Sequence, residues 1–189
     1  MNLPNKLTML RMVMIPLFLV CLFLLSAPWN YLLALVLFIA ASLTDLLDGR
    51  IARSRGLVTD FGKLMDPLAD KLLVMSAMVS YVYLGWVHAV VVIFILAREF
   101  LGTAIRQIAA SKGTVLAADK WGKLKTVSQM IWICFYLLGC WLGSTFDMPG
   151  FYIVLFGWTG WILTAVVVFL TLFSGFNYLK NNWDLFRDA

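Results

Sequence analysis

Asp45, Asp48, Asp66 and Asp70 fall within a stretch of 26 residues, in two pairs. On a helix the i, i+3 pair Asp45 and Asp48 shares a face, and so does the i, i+4 pair Asp66 and Asp70. Gly49 and Ala52 continue the first face, and Gly62 lies one turn before the second pair. Four carboxylates with no His or Cys among them offer hard oxygen ligands, which suit Mg²⁺ or Mn²⁺ and not a soft metal. The small residues on the same faces leave room for a bulky group to approach bound cations, and phosphate is the natural partner. Close helix packing is the other reading of these small residues. Arg50, Arg53, Lys63 and Lys71 lie among the aspartates, so ordinary ion pairing is the competing account of any one carboxylate.

The elements that must position these residues are apolar helices. The chain has 189 residues, of which 62% are hydrophobic and 13% charged, and its mean hydropathy is +0.91. Such a composition excludes an ordinary soluble domain, whose apolar fraction is nearer half, and places the chain in a bilayer as a single membrane-embedded domain over residues 1–189. Hydrophobic runs mark six candidate spans, at residues 10–25, 31–48, 64–84, 87–105, 127–143 and 151–176. The first resembles a signal peptide, but Leu25 stands where a cleavage site wants a small residue, so a retained span is expected. Cys21, Cys134 and Cys140 lie in or beside apolar runs without metal-ligand spacing and read as free packing thiols.

Orientation follows from charge. The 15 Lys and Arg gather at the N-terminus, at residues 50–71 and 98–125, and at the C-terminal end, while the three intervening loops carry none. With six spans all these groups fall on one side, so both termini are expected in the cytoplasm. The net charge of +5 is spread between apolar segments and forms no basic run of the kind that binds nucleic acid. Trp29, Trp86 and Trp141 then fall at the outer interface and Trp121 and Trp183 at the inner one, with His88 also at the outer surface. The apolar residues 31–43 cover only about 20 Å at helical rise, so the second helix must continue through Asp45 and Asp48 to reach the cytoplasm. There a charged residue costs up to about 3 kcal/mol if unpaired. The first aspartate pair is expected near a helix C-terminus, where the dipole disfavours it, and the second near an N-terminus, where the dipole favours it.

The eight fixed positions Asp45, Asp48, Gly49, Ala52, Arg53, Gly62, Asp66 and Asp70, spaced D-x2-D-G-x2-A-R-x8-G-x3-D-x3-D, resemble without departure the signature of the CDP-alcohol phosphotransferase family. The six-span layout extends the resemblance over nearly all of the chain. What the resemblance implies is an all-α integral membrane fold of six transmembrane helices, usually dimeric, with its site open to the cytoplasm. It implies two divalent cations, Mg²⁺ or Mn²⁺, held by Asp45, Asp48, Asp66 and Asp70, with Asp70 also acting as the base. Asp48, Gly49, Ala52, Arg53 and Gly62 would hold the CDP moiety.

Outside the signature, the runs containing Asn5, Thr8 and Arg11, then Ala97, Arg98 and Glu99, then Gly122, Lys123, Lys125, Thr126 and Gln129 resemble the bacterial phosphatidylglycerophosphate synthase branch of that family. That branch implies CDP-diacylglycerol and sn-glycerol 3-phosphate as substrates in the bacterial cytoplasmic membrane, with Asn5, Thr8 and Arg11 as substrate contacts. Arg106, Lys123 and Lys125 put cationic donors at the cytoplasmic ends of the fourth and fifth spans, where an acceptor phosphate would satisfy them. They serve equally as topology determinants facing lipid headgroups. Lys123 and Lys125 point in different directions on a helix, so one of them is expected to meet substrate. Arg98 and Glu99 lie well inside the fourth span and must pair with another helix or line the cavity. Two alternatives stand beside this reading: another family acceptor, as in cardiolipin, phosphatidylinositol-phosphate or phosphatidylserine synthesis, and a cation transporter with acidic residues along its path. The second expects charge near the midplane, whereas these carboxylates gather at the cytoplasmic end.

Overall fold

The computed structural model describes residues 3–55, 60–111 and 120–182, with the side chains at 3–4, 46–55, 60–64, 66–67 and 111 excepted. The described residues form six helices: α1 Leu3–Leu24, α2 Trp29–Arg55, α3 Asp60–Tyr83, α4 Ala89–Ser111, α5 Lys120–Thr145 and α6 Gly150–Asn181. Each hydrophobic run falls on a helix of its own. Asn5–Leu24, Lys120–Thr145 and Gly150–Asn181 are long and apolar enough to cross a membrane, and Trp29–Asp45 is a shorter apolar segment. The charged residues of α3 and α4, among them Asp70, Lys71, Arg98, Glu99 and Arg106, lower the hydropathy of those two helices.

The chain divides into two compact units, Met1–Ser80 with Ile133–Phe156, and Tyr81–Trp132 with Gly157–Ala189. In the first, α1 packs along α2. Phe18 and Phe38 meet there with ring centroids 6.3 Å apart, and Ala34 and Ala41 are fully buried, small enough to let the helices approach. The Asn30 side-chain amide donates to the Leu22 carbonyl at 3.4 Å, satisfying one of the carbonyls that the end of α1 leaves unpaired.

In the second unit, Gly85 ends α3 with φ at +73°. Its N–H donates to the Val82 carbonyl at 3.1 Å, and the Trp86 N–H reaches back to Tyr81 at 2.9 Å. This paired closure needs a residue in the left-handed region, which glycine adopts without cost from a Cβ. Trp132 is fully buried, and its indole N–H donates to the Thr164 hydroxyl at 2.9 Å. Thr164 in turn donates to the Gly160 carbonyl at 2.8 Å, so the buried polar atoms form a closed chain.

The α6 residues in this unit are arranged inside out by the standards of a water-soluble helix. Gly160, Thr164, Thr171 and Ser174 are among its buried residues, while Trp158, Trp161, Phe169 and Phe176 are exposed. Small and weakly polar residues packed inward with large apolar ones outward fit a lipid surround, where close packing and interhelical hydrogen bonds drive association. The cysteines Cys21, Cys134 and Cys140 are free and half-buried, as their apolar surroundings led one to expect.

Gly139 and Gly143 of α5 meet the start of α6 within the first unit. A Cβ on Gly139 would overlap the ring of Phe156, whereas one on Gly143 would make ordinary contact with Tyr152 at 3.5 Å. Phe156 is itself stacked on Phe135 at 5.0 Å and on Tyr152 at 6.0 Å, so its ring has little freedom to withdraw. The Tyr152 hydroxyl donates to the Gly139 carbonyl at 2.8 Å. Gly139→Ala is therefore expected to cost about 1–3 kcal/mol through overpacking, lowering the thermal midpoint in detergent, while Gly143→Ala leaves it unchanged. Equal midpoints for the two variants would contradict this packing.

Candidate active site on α2 and α3

Helix α2 runs without interruption through Asp45, Asp48, Gly49, Ala52 and Arg53 to Arg55, as the short apolar run required. Helix α3 carries Gly62, Asp66 and Asp70. The helix lengths correct the expectation drawn from the dipole. Helix α2 continues seven residues past Asp48, about two turns, and α3 begins six residues before Asp66. The dipole acts within the first and last turn, so it reaches neither pair strongly.

Compensation for Asp45 comes from an ion pair. Arg11 Nη1 of α1 lies 2.6 Å from Asp45 Oδ1, with the arginine side chain fully buried and the aspartate side chain 30% exposed. A guanidinium taken wholly out of water costs several kcal/mol unless a counter-charge and good geometry offset it. Asn5, Thr8 and Arg11 recur every three residues along one side of α1, and all three are buried. The contact engages Oδ1 of Asp45.

Of the four aspartates, Asp45 and Asp70 have described side chains, and both are half-buried. The side chains of Asp48, Gly49, Ala52, Arg53, Gly62 and Asp66 lie outside the described residues, although their backbone is helical. Among the described residues no three His, Cys, Asp or Glu side chains come together as a metal site.

In the second unit the cationic residues are arranged unequally. Lys125 of α5 is 3% exposed and contacts Glu99 of α4, whose Oε1 also lies 3.7 Å from Arg98 Nη1. The expectation that Glu99 pairs with another helix is met. Lys123, two residues from Lys125, is exposed, so the two lysines do point apart. Arg106 is exposed, with its Nε donating to the Gly102 carbonyl of its own helix at 3.1 Å. Sequence reasoning passed over Gly175 and Tyr178 of α6. Gly175 packs on Arg98, and Tyr178 lies within electrostatic reach of Arg98 and Arg106. Their sequence signal is only a glycine and a tyrosine on the last turns of an otherwise apolar helix.

The sequence profile of CDP-alcohol phosphatidyltransferase matches residues 1–173, and the chain belongs to that family. Among its relatives, the CDP-diacylglycerol--glycerol-3-phosphate 3-phosphatidyltransferase of Bacillus subtilis (strain 168) is 39% identical over 199 residues, covering 100% of this chain and 98% of that protein. The protein of the same name from Rickettsia bellii (strain RML369-C) is 36% identical over 179 residues, covering 95% of this chain and 94% of its own. That of Pseudomonas fluorescens is 34% identical over 194 residues, covering 97% and 91%.

Arg11 stood as a substrate contact in the sequence reading, and its burial against Asp45 gives it a structural task that a stability measurement isolates. Arg11→Gln is expected to cost about 1–3 kcal/mol, because it strands a carboxylate that is only partly solvated. Adding Asp45→Asn should recover much of that loss without restoring turnover. A single variant that loses activity with an unchanged denaturation midpoint would show instead that Arg11 serves substrate alone.

Proposed function

We propose that the chain transfers a phosphatidyl group from CDP-diacylglycerol to sn-glycerol 3-phosphate, giving phosphatidylglycerophosphate and CMP in phospholipid biosynthesis. The observation that carries this reading is the similarity, over nearly the full chain, to proteins named for that reaction. The aspartate signature lies on two continuous helices in the same chain. We read the chain as one catalytic domain with six spans in a bacterial cytoplasmic membrane, both termini and the site on the cytoplasmic side, and two copies forming a dimer. The one-sided distribution of Lys and Arg supports the orientation.

Asp45, Asp48, Asp66 and Asp70 form a donor set chemically fit for two Mg²⁺ or Mn²⁺ ions, since all four are hard carboxylates. Such ions, when bound, supply positive charge against the pyrophosphate oxygens, where most of the catalysis of phosphoryl transfer arises. Asp48, Gly49, Ala52, Arg53 and Gly62 hold the CDP moiety, the glycines and alanine by leaving room and Arg53 by charge. Arg106, with Lys123 or Lys125, draws the acceptor phosphate. Asn5 and Thr8 contribute polar groups from α1.

Asp70 takes the proton from the acceptor hydroxyl as that oxygen attacks the β-phosphorus. A phosphorus–oxygen bond forms to the acceptor, the bond to the bridging oxygen breaks, and CMP leaves with that oxygen. Base assistance of this kind adds about 10²–10⁴-fold to the rate.

The direct test is CMP release by purified protein given CDP-diacylglycerol and a panel of alcohols. Release with glycerol 3-phosphate is expected, abolished by chelator and restored by Mg²⁺ or Mn²⁺; release with inositol phosphate or serine alone would overturn the reading. Asp70→Asn keeps the size and an oxygen ligand but accepts no proton, so turnover should fall by about 10²–10⁴-fold with CDP-diacylglycerol binding retained. Near-normal turnover in that variant, with its metal content verified, would remove Asp70 from the role of base.

A further inference from the structure

Within the second unit, α5 and α6 each carry an exposed stripe of the same spacing. On α5, Lys120, Leu124, Val127 and Ile131 recur at steps of four, three and four residues, and all are exposed. On α6, Phe169, Phe173, Phe176 and Lys180 follow the same steps and are exposed as well. Each stripe is therefore three large apolar residues and a terminal lysine. Lys120 opens α5, and Lys180 stands one residue before the end of α6. The helices run antiparallel, since Trp121 packs on Phe173 with ring centroids 4.7 Å apart while Trp132, farther along α5, meets the earlier α6 residue Thr164. Both lysines accordingly lie at the same end of the pair.

The dimensions indicate what fits this face. Each stripe, from residue 120 to 131 or from 169 to 180, rises about 16 Å at helical pitch. That is close to half of the roughly 30 Å hydrocarbon core, the depth of a single leaflet. Trp121 sits beside the charged end, as tryptophans do at a membrane interface, and Phe173 stacks on Phe169 at 5.9 Å to continue the apolar wall. The one acidic residue between Lys120 and Lys180 is Asp147, in the turn at the opposite end of the two helices. Asp119 and Asp184 flank the lysines in sequence and lie outside the described residues. A second copy of the chain is a poorer match, because two-fold symmetry sets each lysine near its own counterpart at the same depth.

We propose that this face of α5 and α6 binds an anionic phospholipid of the surrounding bilayer, its acyl chains along the two apolar stripes and its headgroup drawn by Lys120 and Lys180. The lysine stems lie over apolar neighbours while their ammonium groups reach headgroup level. Charge then selects an anionic lipid over a zwitterionic one. Neither lysine is among the groups assigned to the reaction, so the inference stands apart from the acceptor proposed above.

Purified protein in an uncharged detergent, supplemented with dioleoylphosphatidylglycerol or dioleoylphosphatidylcholine, tests the site. A ligand bound to the folded state raises the thermal midpoint, and native mass spectrometry counts the lipid retained. Phosphatidylglycerol is expected to raise the midpoint further and to be retained more strongly. Lys120→Gln combined with Lys180→Gln should weaken its binding about tenfold to thirtyfold, leave the lipid-free midpoint unchanged and remove most of the difference between the two lipids. Lys120→Arg combined with Lys180→Arg should keep that difference, and Trp121→Ala should weaken both lipids. Equal protection of the wild type by the two lipids would overturn the proposal, and so would a preference that survives in the glutamine variant. Equal protection by inorganic phosphate contradicts a lipid site, and displacement of phosphatidylglycerol by CDP-diacylglycerol would assign the face to substrate. A midpoint that rises with protein concentration and not with phosphatidylglycerol would assign it to a second copy.

Discussion

The contact between Arg11 and Asp45 ties a fully buried guanidinium to a carboxylate at the start of the aspartate signature. Neither charge is tolerable alone among apolar helices, where an unpaired Arg or Asp costs on the order of 3 kcal/mol. The pairing fixes more than energy. It ties α1 to α2 at the level where the signature begins. Glu99 and Lys125 repeat the device between α4 and α5. In each case the pair joins two helices through a buried cation, so helix position and side-chain position are set together. Breaking such a pair costs more than the pair contributes, because the survivor is left uncompensated.

The rest of the packing follows from surroundings that reward close approach over hydrophobic sequestration. The inward residues of α6 are small or weakly polar and its outward ones are Trp and Phe. Gly139 accommodates the ring of Phe156, and Gly175 accommodates the stem of Arg98. Both glycines sit where a methyl group would meet a side chain that is itself held by neighbours. Trp132 and Thr164 show the polar counterpart, the buried indole N–H donating to Thr164 on the facing helix and the Thr164 hydroxyl to Gly160 of its own helix.

Much of this was legible in the residues. The apolar runs mark the six helices because hydropathy is local, and residues 31–43 are too few to span a bilayer, which forces α2 through Asp45 and Asp48. Partners were harder to read. Arg11 and Asp45 are separated by a helix and a turn, and nothing local in either links them. Arg50, Arg53, Lys63 and Lys71 are the nearer cations in sequence, yet Arg11 of α1 lies in contact with Asp45. The helix dipole reaches neither aspartate pair strongly because α2 and α3 continue well into polar sequence, past the points where hydrophobicity stops. Lys125 reads as a free cation until Glu99 is placed beside it, and Tyr178 carries no signal without the two arginines. Charge count is a property of the sequence, but charge balance is a property of the packing.

In the proposed mechanism the reaction is one displacement at phosphorus, with Asp70 relieving the incoming hydroxyl of its proton and no covalent phosphatidyl-enzyme. CDP-diacylglycerol made chiral at the β-phosphorus with oxygen isotopes, incubated with the purified protein, glycerol 3-phosphate and Mg²⁺, reports that event in the configuration of the product. The prediction is phosphatidylglycerophosphate with inverted configuration at the transferred phosphorus. Retention of configuration, the mark of two successive displacements, would contradict it.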